Sequence, residues 1–202
     1  YAEPLGHFKS DFFAQMCRDA GDRKVIYAGL QTLIDLSQGV PRNLLGLLKH
    51  IYRRSHFAGE QPFERGSCIS IRSQGEGVRD AAAWFWEDAQ PDQHGPEVRA
   101  AVQSLAELFG AVRFSIKPAE CDLGTFTVKT GTGTEAARHV LVHAENWSYL
   151  IKVQAGGVDR NKASAVDEKY QISPMLAPRW GVSEYRRGTI QLSHDLFNSI
   201  FD

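Results

Sequence analysis

Apolar positions over residues 25–52 return every three or four places, the period of an α-helix packed on one side. Within 25–37, Ile26, Leu30, Leu33 and Ile34 share one helical face, and Gly39 offers the left-handed stop that ends such a helix. Pro41 suits the first position of a second helix, where its missing N–H is not needed. Leu44, Leu45, Leu47, Leu48, Ile51 and Tyr52 give that helix a wide apolar stripe, so the pair reads as an antiparallel hairpin. Upstream, Phe8, Phe12 and Phe13 stand among charges, and a short helix is expected over 10–21, with Ser10 as cap and Gly21 as stop. Downstream, 53–67 reads as a loop from its Gly, Pro and Ser content, and 77–89 as a helix rich in Ala and Trp. Residues 89–96 break the pattern and form the best linker candidate. Val98, Val102, Leu105, Leu108 and Phe109 mark a further helix over 96–114, with Pro96 near its start.

The last third changes period. Residues 123–134 predict a strand and a polar turn, and 134–147 a helix capped by Thr134. Strand-like runs follow at 149–154 and 168–173, separated by a polar loop, with a third at 186–193 and a closing helix over 194–201. Helix, strand, helix and hairpin in that order are the order of a winged helix, although a clear second helix of that motif is hard to place. The expected class is mainly α with a small α+β winged-helix-like domain. The expected division is a helical lid-like part over 1–90 and a winged-helix-like part over 96–202.

Composition narrows the function classes. With 202 residues, 43% hydrophobic and 23% charged, the chain can bury a core without staples. A formal net charge of −1 removes any global basic balance, so contact with nucleic acid has to come from a local patch. Cys17, Cys68 and Cys121 are odd in number and lack zinc or redox spacing, which fits a reducing, cytoplasmic setting. No apolar run approaches the ~20 residues that span a bilayer, so no membrane partner is expected. The first residue is Tyr1 rather than methionine, which suggests a piece of a longer chain.

Arg42 breaks a local rule. It falls in the opening turn of the second helix, where the positive end of the helix dipole disfavours a cation by roughly 0.3–1 kcal/mol. A rule broken without local gain invites a search for function. A guanidinium is permanently charged and its planar fork matches phosphate oxygens, although from the residue alone a solvated surface arginine is the more ordinary account. The surrounding segment, "LIDLSQGVPRNLLGLLKHIYRRS", resembles the second-sensor segment in the helical lid of AAA+ and related P-loop ATPases. Its form is that of the origin-recognition-complex-like branch, in which a Gly-x-Pro-Arg or Gly-x-x-Arg turn opens a lid helix. Gly39, Pro41 and Arg42 are the matching positions. The resemblance implies that Arg42 contacts the terminal phosphate of ATP held by an upstream ATPase domain, and that a winged helix follows the lid. The chain departs from the family pattern in lacking a G-x-x-x-x-G-K-[ST] loop; residues 129–136 have two glycines but no Lys-Ser/Thr pair. This chain alone is therefore not expected to hydrolyse ATP.

The C-terminal part holds the candidate contacts to double-stranded DNA. Over 151–190 seven cations (Lys152, Arg160, Lys162, Lys169, Arg179, Arg186 and Arg187) face four acids, a surplus of three. Arg160, Asn161 and Lys162 at a hairpin tip suit phosphates or a minor groove. Arg138, His139, Asn146 and Trp147 lie on or just after the preceding helix and suit a major groove. The alternative is a solvated hairpin on a module that contacts protein or neighbouring subunits. His139 and His143 stand one turn apart, but Val140 occupies the place of a zinc-protease glutamate and no third ligand is evident. The Trp84–Phe85–Trp86 run reads as core, and 177–188 as an Arg-and-aromatic cluster. Two function classes follow: the regulatory C-terminal portion of an ATP-dependent, DNA-associated ATPase, or a winged-helix interaction or transcription-regulatory module that uses no nucleotide. An enzyme acting alone has the least support, because no nucleophile or acid–base set converges.

Overall fold

The computed structural model describes residues 12, 15–17, 19–20, 25–88, 95–115, 123–153, 167–186 and 188–202. Of the short helix expected over 10–21, residues 12, 15–17 and 19 are helical. The rest of that helix, most of the 89–96 linker, the 159–164 hairpin tip and Arg187 lie outside the described residues. The chain is mainly α with a small four-stranded mixed sheet.

Helix α1 spans Leu30–Ser37, shorter than the 25–37 pattern suggests. Gly29, at φ 93°, breaks the helix on its N-terminal side, a conformation that costs glycine little. The expected apolar face is also rotated: Leu33 and Leu36 are buried, while Ile26, Leu30 and Ile34 are exposed. The helix ends in two consecutive left-handed residues, Gln38 at φ 54° and Gly39 at φ 71°, so the stop begins one residue earlier than expected.

Helix α2 spans Pro41–Phe57 with Pro41 in its first turn. It extends into the segment read as a loop. Of its wide stripe only Leu47 and Ile51 are fully buried, and Leu45, Leu48 and Tyr52 remain exposed. Helix α3, Ile71–Asp88, also starts earlier than expected. Ser70 nucleates it, its hydroxyl accepting from the Ser73 N–H at 3.1 Å, while Glu60 receives the hydroxyls of both serines. Helices α2 and α3 run antiparallel. Gly77 makes that close packing possible: a β-carbon there would lie 2.5 Å from the Ile51 Cα.

Helix α4, Gly95–Arg113, buries Val98, Val102, Leu105 and Phe109 as their spacing predicts. Strand β1 (Thr125–Lys129), helix α5 (Glu135–Asn146), β2 (Leu150–Val153) and β3 (Asp167–Ile172) follow. A 3-10 turn at Pro174–Leu176, the short α6 (Ala177–Trp180), β4 (Thr189–Gln191) and α7 (His194–Phe201) complete the chain. Thr134 caps α5 as expected, its hydroxyl accepting from the Ala137 N–H at 3.1 Å. The sheet order is β2-β3-β1-β4. The β2–β3 pair and the β1–β3 pair are antiparallel, whereas β4 joins the β1 edge in parallel, Phe126 opposite Ile190. Between β1 and β2 the chain makes a turn and one helix, so the second helix of the winged-helix order is absent from that interval.

One hydrophobic cluster joins the helical part to the sheet. Tyr149 stacks on Trp86 at 4.7 Å between centroids and donates its hydroxyl to the Trp86 carbonyl at 2.6 Å. Trp180 meets the same indole edge-on at 5.2 Å. Tyr27, fully buried, donates to the Val182 carbonyl at 2.5 Å, and burial pushes its phenol far above the usual range. These contacts span residues distant in sequence, and they tie the end of α3 to the α5–β2 junction and to α6, and the segment before α1 to the chain after α6.

Candidate functional site

The antiparallel pairing of α2 and α3 brings the N-terminus of one beside the C-terminus of the other, and Arg42 stands at that junction. Val40 precedes α2 with extended backbone, and no side chain caps the helix. The Arg42 side chain is 83% exposed. Its Nη2 lies 3.8 Å from an Asp88 carboxylate oxygen at the end of α3, and that side chain is 48% exposed. The misplaced cation is therefore partly accommodated, since the C-terminal end of α3 is the negative end of its dipole. An exposed pair of this length contributes about 0–1 kcal/mol and leaves most of the guanidinium charge to solvent.

Arg42, Asn43 and Asp88 edge a cleft of about 410 Å³. Trp84 and Phe85 of α3 line it, with Trp147, Ser148 and Ile151 across from the α5–β2 junction. Ser148 has φ 59°, a left-handed conformation at the turn where α5 gives way to β2. The cleft offers one loosely paired cation with its carboxylate partner, aromatic walls and hydroxyls, chemistry that suits a planar group carrying an anion able to displace Asp88 from Arg42. Sequence reasoning found Arg42, missed Asp88, and assigned Trp147 to a DNA groove, whereas the structure places it in this cleft. The Trp84–Phe85–Trp86 run divides: Trp86 is core, and Trp84 is 40% exposed in the cleft.

The residues chosen for DNA contact fall into three groups. Arg138 is turned inward: its Nε donates to the Thr132 carbonyl at 2.6 Å, Nη2 to the Lys129 carbonyl at 2.9 Å and Nη1 to Glu168. Its guanidinium also covers the Phe197 ring at 5.5 Å. His139 and Asn146 are exposed on α5, and Lys169 is half-buried on β3. Arg160, Asn161 and Lys162 lie outside the described residues. The exposed side of α5 carries Glu135, Ala136, His139, Val142 and Asn146, with no lysine or arginine among them. The Nε2 atoms of His139 and His143 approach to 3.2 Å, and no group of three or more metal-ligating side chains occurs among the described residues. In the 177–188 cluster, Arg179 stacks over Trp86 and Trp180, and Arg186 donates to the Gln171 side chain at 3.0 Å.

Glu168 is the electrostatic centre of this part. Burial alone would raise its pKa, but hydrogen bonds from Lys152, at 2.9 Å, and Arg138 outweigh burial and hold the carboxyl below the usual range. A carboxyl depressed in the folded state stabilises the fold above its unfolded pKa, and that stabilisation is lost as pH falls through the folded value. Glu168→Gln is therefore expected to lower the melting temperature at neutral pH and to flatten its decline below about pH 4.5. Thermal melts of both proteins across pH 3–7 check this, and parallel curves would refute it.

Among the described residues, no helix is long and apolar enough to cross a membrane. Comparison with curated proteins finds no match, and neither does comparison with solved structures. The family model described as ORC-CDC6-like matches residues 1–192, nearly the whole chain. The resemblance carried by the Gly39–Arg42 turn extends well beyond that turn: the chain belongs to the ORC-CDC6-like family.

Proposed function

We propose that this chain is the regulatory C-terminal portion of an ATP-dependent AAA+ protein, and that it couples a nucleotide held by an upstream ATPase domain to contacts with DNA or a partner subunit. In this reading 1–90 form the lid and 96–202 the wing. The exposed guanidinium of Arg42 carries the reading. It stands in the first turn of the lid helix, on an aromatic-walled cleft, with only a loose carboxylate beside it. A terminal phosphate would compete with the Asp88 carboxylate for the guanidinium, offering it shorter, charge-assisted hydrogen bonds. Gain or loss of that phosphate biases the position of α2, and the shared core around Trp86 and Tyr149 passes the shift to the sheet.

On the wing, His139, Asn146 and Lys169 with the 160–162 tip are the proposed duplex contacts, while Arg138 organises the turn behind them. The weakly charged α5 face favours a partner subunit as the alternative occupant of that helix.

Trp84 supplies a direct test. In the intact parent protein, saturating ATP is expected to change indole emission, and Trp84→Phe is expected to remove most of the change. Emission that responds equally with and without Trp84 contradicts a nucleotide-linked movement at this cleft.

A further inference from the structure

The C-terminal half of α2 carries a second pattern that the nucleotide reading does not use. Helix α2 has four guanidinium or ammonium side chains, Arg42, Lys49, Arg53 and Arg54, and no acidic residue. Arg54 is consumed by Asp80, through a two-pronged hydrogen bond, and by Glu76. Arg72 holds Glu76 from the other side at 2.9 Å. Lys49 and Arg53 are exposed, and among the described residues neither forms an ion pair with a carboxylate, although Arg53 lies close enough to Asp80 to stabilise its charge. Lys49, Arg53 and His56 recur at spacings of four and three, a single line of about 10 Å along the side of the helix away from Ile51.

Aromatic rings interleave with these cations. Phe63, in the turn after α2, is 84% exposed and Phe57 is 79% exposed. Tyr52 lies between: its ring is 5.0 Å from Phe63 and stacks on His56 at 5.9 Å, and His56 meets Phe57 at 6.3 Å. Phe63, Tyr52, His56 and Phe57 thus form one exposed aromatic row beside Lys49 and Arg53. A shallow depression of about 300 Å³ lined by His50, Arg53, Arg54, Phe57 and Asp80 adjoins it, the Asp80 carboxylate being held by Arg54. Phenylalanines this exposed are costly to keep in water without a partner.

We infer that this surface binds single-stranded nucleic acid, with phosphates on Lys49 and Arg53 and unpaired bases stacked on Phe63, Tyr52 and Phe57. The pairing of a basic line with neighbouring aromatic faces is the arrangement single strands require, because every base has a π-face and every linkage a charge. A duplex hides its bases and has no use for the aromatic row. An acidic protein surface would use the charges and bury the rings without needing base-like planar groups, and a comparison with poly-glutamate tests for that partner. The inference goes beyond the nucleotide reading and uses neither Arg42 nor the wing.

Fluorescence anisotropy with a labelled thymidine oligomer of about 20 nucleotides, and with a duplex of the same length, tests it. The single strand is expected to bind more tightly than the duplex at about 50 mM salt, with an affinity that falls steeply as salt rises. Lys49→Ala with Arg53→Ala is expected to lower the salt slope by about 1.4, the value for two lost phosphate contacts to a single strand. Phe63→Ala, at a site too exposed to unfold the protein, is expected to weaken binding about tenfold with the slope unchanged. Lys129→Ala, which removes an exposed cation at the end of β1 that belongs to none of the proposed contacts, is expected to leave single-strand affinity intact. Absence of binding at low salt overturns the inference. So does equal affinity for strand and duplex with no effect of Phe63→Ala, or equal binding of poly-glutamate.

Discussion

Gly77→Ala is expected to destabilise the protein by about 2 kcal/mol, lowering the melting temperature by several degrees. Alanine is the better helix former by about 1 kcal/mol, so propensity alone predicts the opposite sign. Packing decides. The added carbon would lie 2.5 Å from the Ile51 Cα and 2.7 Å from its nitrogen, and both are backbone atoms that no rotamer change can move. Helix α2 has to shift away from α3, and overpacking of this kind costs about 3 kcal/mol. Gly110 is the control. It lies inside α4, where a β-carbon would meet nothing within 4 Å, so Gly110→Ala is expected to stabilise by up to about 1 kcal/mol. Denaturant melts of the two variants check the pair of signs. Equal effects would mean that the α2–α3 contact is not tight.

Arg138→Ala is expected to cost about 2 kcal/mol, a buried-pair loss discounted for partial solvent access. The side chain ties the 129–134 turn to β3 through two carbonyls and a carboxylate, and it covers Phe197. Removing it leaves Glu168 with Lys152 as its remaining partner. Arg138→Lys is not expected to recover the loss, because one ammonium cannot reach three acceptors that a planar fork serves together. Thermal melts of both variants check this. Loss of duplex binding without loss of stability would instead place the guanidinium on DNA.

The residues that made the fold legible were those with a local physical signature. Pro41 opened α2, Thr134 capped α5, and the three-to-four spacing from Val98 to Phe109 located α4. Misreadings occurred where tertiary contact overrode local preference. Gly75 and Gly77 weakened the helical signal at the start of α3, yet Gly77 is there because Ile51 needs the space. The apolar side of α1 differs from the predicted one because the core takes Leu33, Leu36 and Ser37, leaving Leu30 and Ile34 of the same helix exposed. Arg138 looked free because Glu168 is far from it in sequence. Arg42 was legible as an anomaly because dipole and charge disagree within a single turn. Asp88 and Trp147 could not be attached to it before the α2–α3 pairing and the α5–β2 turn were known.

Nucleotide discrimination by the intact parent protein bears most directly on the central claim. With Arg42→Ala, affinity for ATP is expected to fall about ten- to a hundredfold, the equivalent of one charge-assisted hydrogen bond to phosphate. Affinity for ADP is expected to stay nearly unchanged, as is thermal stability, since the side chain is solvated in this chain. Equal losses for ATP and ADP, or ATP affinity within twofold of the unaltered protein, would show that Arg42 does not read the terminal phosphate.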